Sequence, residues 1–244
     1  AEIDKLTIAD TLRLLDNCSL SSEALVKAYI ERARAHGDLN IFITLDEEGA
    51  LAAARAVDAA RRAGQPLGPL AGIPVVVKDN IHVAGMPSTA GTPALAGFVP
   101  AQDAPVVRRL REAGAIMLGK TNMHELAFGA TGYNAAYHVP GVVGVRNPYD
   151  STRIAGGSSS GSAAALGARM APAALGTDTG GSMRIPPALN GCSSLRPSAI
   201  RYPSQGLAPI ASSRDTAGPM ALCMADVALL DGLITGEQAL PPVQ

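Results

Sequence analysis

Gly72-Ile-Pro-Val-Val-Val-Lys78 is a short run that is apolar on both faces until its last residue. Such a run reads as a strand buried on both sides. Ala115-Ile-Met-Leu118 reads the same way, and Ala173 to Thr177 forms a third, shorter strand. Helical stretches alternate with them. Glu47 to Ala63 is Ala-rich and ends at Gly64, and Ala104 to Glu112 stops at Gly114. A Gly/Ser loop, Gly156 to Gly161, leads into a helix over Ser162 to Met170, and Met224 to Ile234 is helical. Nearer the start, Leu6, Leu12, Leu14 and Leu15 lie at roughly helical spacing with Thr7 as N-cap, and Ser21 or Ser22 caps a second helix whose Leu25, Tyr29 and Ile30 face inward. Ile41 to Leu45 is β-like, and a helix is expected to start over Met123 to Phe128. Strands alternating with helices define an α/β fold.

Composition narrows the function. The 244 residues are 47% hydrophobic and 17% charged, which excludes a disordered chain. A net charge of −1 offers no basic field for nucleic acid. Aromatics make up 3%, with no Trp, so stacking platforms for bases are not expected. Cys18, Cys192 and Cys223 are odd in number and far apart, so neither a disulfide framework nor a zinc knuckle is expected, and a reduced, cytoplasmic setting fits. Ala1 to Lys5 has no signal-peptide pattern. The uncharged stretch from Val83 to Gln102 is broken by Gly85, Pro87, Gly91, Pro93, Gly97 and Pro100. It reads as a long dry loop and a candidate site wall, with no membrane span. The whole chain, 1–244, reads as one domain with a linker-like tail at Pro241 and Pro242.

Three motifs compete for the chemistry. Gly114 to Thr121 fits the phosphate-binding P-loop pattern, but the four residues between its glycines are themselves the strand. Gly157-Ser-Ser159-Ser-Gly161 fits the nucleophile elbow. It follows a polar, turn-forming segment, and His36, His82, His124 and His138 all precede it, so no later histidine completes a triad. The third candidate combines Lys78 at a strand end, Ser158 in the Gly/Ser loop and Ser182 closing Gly176-Thr-Asp-Thr-Gly-Gly-Ser182.

This combination resembles the amidase signature family. Gly156 to Ala165, followed by Gly176-Thr-Asp-Thr-Gly-Gly-Ser182-Met-Arg184-Ile-Pro186, is similar to the family's hallmark almost letter for letter. Gly72 to Asn80, Gly119 to Gly129 and Asp215 to Ala221 are similar to flanking blocks, so the likeness runs from about Leu6 to Leu230. The resemblance implies a mixed, twisted β-sheet covered by helices on both faces. It implies Ser182 as nucleophile, Ser158 as bridging serine after a cis peptide bond, and Lys78 as base. It also turns Lys120 into part of a structural block. No cofactor or metal is implied. The Met123 to Gly129 block looks like that of arylalkyl amide hydrolases, such as mandelamide or indoleacetamide hydrolases, which implies a small primary amide as substrate. Two alternatives are a nucleotide-binding or non-catalytic module, and the glutaminase-type subunit of an amidotransferase. Members of the family are much longer, so the domain reads as incomplete on its C-terminal side, with a homodimer or a missing C-terminal segment as the expected cover.

Physical chemistry supports these roles. A serine hydroxyl needs a neighbouring base, and lysine is a base only when neutral. Burial lowers a lysine pKa by ~3–5 units, and Val75 to Val77 supply the dry surroundings. Strand alternation points Asp79 away from Lys78. The Gly-Gly turn lets the N–H groups of Thr179, Gly180, Gly181 and Ser182 converge as an oxyanion hole. Asp178 and Arg184 read as a clamp on that turn, and Ser159 as a supporting hydrogen bond. Thr131, Gly132 and Tyr133 are expected to line the substrate pocket, and His124 reads as a buried structural residue.

Overall fold

A computed structural model describes residues 3–237, so the tail at Pro241 and Pro242 and the first two residues lie outside them. Two helices open the fold, α1 (Ile8–Asp16) and α2 (Ser22–Ala35). Each is capped by a side chain that accepts a first-turn N–H, Thr7 from Asp10 and Ser21 from Ala24. Then come β1 (Phe42–Leu45), α3 (Glu47–Arg62), β2 (Pro74–Lys78), α4 (Pro105–Glu112) and β3 (Ile116–Thr121). The rest is α5 (Ser160–Gly167), β4 (Ala173–Asp178), α6 (Ile185–Asn190), β5 (Ser193–Ser194), β6 (Thr216–Ala221) and α7 (Met224–Thr235).

The six strands form one mixed sheet in the order β1-β3-β2-β4-β6-β5. β2 runs parallel to both β3 and β4, while β1, β5 and β6 are antiparallel to their neighbours. Alternation along β2 splits the core in two. Val75 and Val77 pack with Ile8, Val107, Leu110, Val227 and Leu230 of α1, α4 and α7. Val76 packs on the other face with Leu25, Tyr29, Ala54 and Leu166 of α2, α3 and α5. Helices therefore cover both faces. At the centre of the sheet, β2 and β4 run parallel and end in Lys78 and Asp178.

Two local expectations change. Met123 to Phe128 is not a helix: only a 3-10 turn, Glu125–Ala127, forms, with Leu126 at φ 54. Tertiary hydrogen bonds capture its backbone instead, Leu126 N–H donating to Ala90 O at 2.8 Å and Glu125 N–H to Tyr133 O at 3.4 Å. The sequence reading also lacks β6, whose Gly218 and Pro219 are poor strand formers.

The loop from Val83 to Gln102 wraps a buried ion pair. Lys120 and Asp79 are 3.2 Å apart and both fully buried. Asp79 also accepts from Thr89 N–H at 2.9 Å and from the Thr89 hydroxyl, while Lys120 donates to Pro87 O at 3.1 Å. Lys120 therefore closes the base of this loop, and its amine has no exposed surface to offer a phosphate. Removing one partner of a buried pair leaves an uncompensated charge. We expect Lys120→Met to lower unfolding stability by ~3–5 kcal/mol in urea titration; an unchanged midpoint would show that the pair holds nothing.

Candidate active site

Three chain segments meet where β2 and β4 end. Lys78 closes β2, Ser158 precedes α5, and Ser182 closes the turn after β4. Lys78 Nζ donates to Ser158 Oγ at 2.7 Å, and Ser158 Oγ donates to Ser182 Oγ at 2.8 Å. The structure thus joins all three residues in one hydrogen-bonded chain. Lys78 and Ser158 have no exposed surface, whereas Ser182 is partly open to solvent. The Gly157–Ser158 peptide is cis. Gly157 has no room for a side chain: a Cβ there would lie 2.7 Å from Gly132 N and 2.8 Å from Gly129 O.

Burial holds the Lys78 amine down to about 7, with the Asp178 charge pulling the other way. Asp79 does not oppose this directly, because its carboxylate faces Lys120. Asp178 is itself buried, which works against its charge, yet its pKa lies below the usual carboxylate value. Arg184 Nε and Nη2 donate to it at 3.1 and 3.2 Å, and the Met183 and Gly181 N–H groups each donate at 3.0 Å. Arg196 Nε adds a bond at 3.4 Å that the sequence reading lacks. Asp178 thereby clamps the turn that carries Ser182.

This clamp changes the expected oxyanion hole. The Gly181 N–H is spent on Asp178, so it is not available to a substrate oxygen. Among the described residues, the N–H groups of Thr179, Gly180 and Ser182 have no protein acceptor. Gly181 sits at φ 138, a conformation glycine adopts readily. Ser159 Oγ donates to Thr177 O at 3.0 Å and accepts Thr177 N–H at 3.3 Å, tying the Gly/Ser loop to β4.

A cavity of about 270 Å³ opens on Ser182. Its walls are Ala127 to Ala130, Gly157, Thr179 to Ser182, Ile185 and Ile210. Thr131, Gly132 and Tyr133, expected to line it, do not. Gly132 is buried, a Cβ there meeting Ser160 Oγ at 2.5 Å, while Thr131 Oγ1 is 3.4 Å from His124 Nδ1. The wall lies instead at the 3-10 turn, with Phe128 74% exposed beside it. The Val83 to Gln102 loop is also absent from this lining. His124, expected to be buried, is half-buried. Burial lowers its pKa, Glu125 raises it, and Lys78 lowers it further.

Asp215 and Ile210 were not singled out in the sequence reading. Asp215 accepts Thr179 Oγ1 at 2.5 Å and the N–H groups of Ile210 and Ala211 at 2.8 and 2.9 Å. It fastens the loop bearing Ile210 to the turn bearing Ser182. Nothing periodic marks these residues; the Asp215 to Ala221 block was the available pointer. Among the described residues, no group of three or more His, Cys, Asp or Glu is placed to hold a metal ion. No helix there is long and apolar enough to cross a membrane.

An amine that is half neutral near pH 7, joined through one hydroxyl to another, is the wiring of an activated serine. The chain belongs to the amidase family, whose model matches residues 24–242. It is 52% identical over 97% of its length to mandelamide hydrolase of Pseudomonas putida, covering 46% of that protein. It is 45% identical over the same share to a glutamyl-tRNA(Gln) amidotransferase subunit of Salinispora arenicola, covering 47% of it. The crystal structure of an amidase superposes with a TM-score of 0.91 at 43% identity, over 98% of this chain and 54% of that one. Native peptide amidase from Stenotrophomonas maltophilia gives 0.87 at 38%, over 98% and 51%. The chain thus spans about half the length of the curated relatives it matches.

If the Lys78 lone pair activates Ser182, reactivity must follow the neutral amine. The rate at which a fluorophosphonate modifies Ser182 is expected to fall roughly tenfold per pH unit below about 7. A flat profile between pH 6 and 9 would contradict this.

Proposed function

We propose that this chain carries the catalytic centre of a serine amidohydrolase that cleaves a small arylalkyl primary amide to a carboxylic acid and ammonia. The observation that carries the reading is the continuous bond chain from Lys78 Nζ through Ser158 Oγ to Ser182 Oγ. Ser182 Oγ attacks the amide carbon. Its proton passes to Ser158 as Ser158 gives its own to neutral Lys78. The carbonyl oxygen becomes an oxyanion and takes hydrogen bonds from the N–H groups of Thr179, Gly180 and Ser182, each worth ~3 kcal/mol of barrier. The carbon–nitrogen bond then breaks. The proton on Lys78 returns through Ser158 to the departing nitrogen, which leaves as ammonia. Water attacks the acyl-Ser182 ester with the same relay and releases the acid.

Substrate choice rests on the cavity and on one relative. Phe128, Ile185 and Ile210 line it, and no charged side chain does. An uncharged aryl or alkyl group suits such walls, whereas the charged backbone groups of glutamine would lack an ion-pair partner there. Mandelamide hydrolase is the relative at 52% identity, and this favours an arylalkyl amide over the amidotransferase reading. The full burial of Lys120 speaks against the nucleotide-binding alternative. A reduced, cytoplasmic setting and cover for the domain by a C-terminal segment or a second copy belong to the same proposal.

Ammonia release from mandelamide tests it. Ser182→Ala is expected to lower the rate by about 10³ or more. Release that survives this substitution, or turnover of glutamine in preference to mandelamide, would overturn the reading.

A further inference from the structure

Two hydroxyls reach Lys78 Nζ: Ser158 at 2.7 Å and Thr177 at 2.8 Å. The relay above uses the first. A neutral amine has two N–H donors and one lone pair, and the relay needs that lone pair aimed at Ser158. The amine turns freely about its Cε–Nζ bond, so a single contact does not aim it. Thr177 Oγ1 supplies the second by accepting an N–H. Asn80 Nδ2 donates to the same oxygen at 3.0 Å. With both lone pairs of Thr177 Oγ1 taken, its own proton points away from both nitrogens and does not compete with Ser158 for the lysine. Asn80 and Thr177 are both buried. The Asn80 side chain makes no other hydrogen bond among the described residues, and its Oδ1 is buried without a partner, a costly arrangement for an amide with no task. Thr177 is held in turn through its own backbone by Ser159.

We propose that Thr177, steered by Asn80, is a positioning residue that turns the lone pair of Lys78 toward Ser158. This rests on the amidohydrolase reading and adds a specific consequence. A hydroxyl acceptor stabilises the charged amine more than the neutral one. Removing it therefore moves the titration of Lys78 to lower pH while the rate of the neutral form falls. The other groups facing the site stay in place: Asp178 with Arg184 and Arg196 at β4, Asp79 with Lys120 at β3, and His124 beside the Gly/Ser loop.

The experiment is fluorophosphonate labelling of the full chain across pH 5 to 10, with Thr177→Val, Thr177→Ser, Asn80→Ala and Ser158→Ala. Thr177→Val keeps the shape and loses the hydroxyl. It is expected to lower the high-pH limiting rate about tenfold and to move the midpoint down by about half a pH unit. Thr177→Ser restores both. Asn80→Ala lowers the limiting rate with the midpoint little changed, and it carries the test if the valine variant does not fold. A folded Thr177→Val with wild-type rate and midpoint, or an Asn80→Ala that labels at the wild-type rate, overturns the proposal. Ser158→Ala separates the two readings. If it labels like wild type, the serine relay itself fails; if it loses labelling while Thr177→Val does not, only the role of Thr177 fails.

Discussion

Burying the amine of Lys78 disfavours its charge, and the surrounding side chains are arranged about that buried group. The amine ends a strand whose three preceding valines have no exposed surface. Without water, its ordinary ammonium form loses its advantage and its pKa drops to about 7. A lysine in solution is protonated at neutral pH and has no lone pair to give. Here the fold withholds solvent from the amine, which ends a strand lying between β3 and β4.

Neighbouring charges are kept from undoing this. Asp79 follows Lys78 in the chain, yet its carboxylate is held by Lys120 and the Thr89 segment. Asp178 is close enough to favour the ammonium, but two arginines and two backbone N–H groups already claim its oxygens. The same bonds shape the turn that presents Ser182. One carboxylate thus fixes the serine and has its charge largely answered away from the lysine. The cavity beyond is apolar through Phe128, Ile185 and Ile210, and Asp215 ties the Ile210 loop to Thr179. Ser182 and part of the cavity wall therefore share a single short turn.

Much of this was legible because it is written locally. The runs Gly72 to Lys78, Ala115 to Leu118 and Ala173 to Thr177 read as strands, and the strands found there are Pro74–Lys78, Ile116–Thr121 and Ala173–Asp178. Thr7 reads as a cap and caps, and of the two candidates Ser21 and Ser22 it is Ser21 that caps. Lys78, Ser158 and Ser182 each have an ordinary structural reading alone; it is their combination, in motifs that resemble the amidase signature, that marks them. What stayed hidden depends on distant pairings. The Met123 to Phe128 backbone is claimed by Ala90 and Tyr133, so its helical look was overruled. The Gly181 N–H is claimed by Asp178, which no spacing rule reveals. β6 conceals itself behind Gly218 and Pro219, and Ile210 reaches the cavity only because Asp215 folds its loop back.

The central claim is that Lys78 is a neutral base at physiological pH. The direct measurement is an NMR titration of the protein carrying 13C at the lysine Cε, with the Lys78 resonance assigned by Lys78→Met. The account predicts that the Lys78 Cε signal titrates near pH 7. A Lys78 signal that stays in its protonated position beyond pH 9 would contradict it.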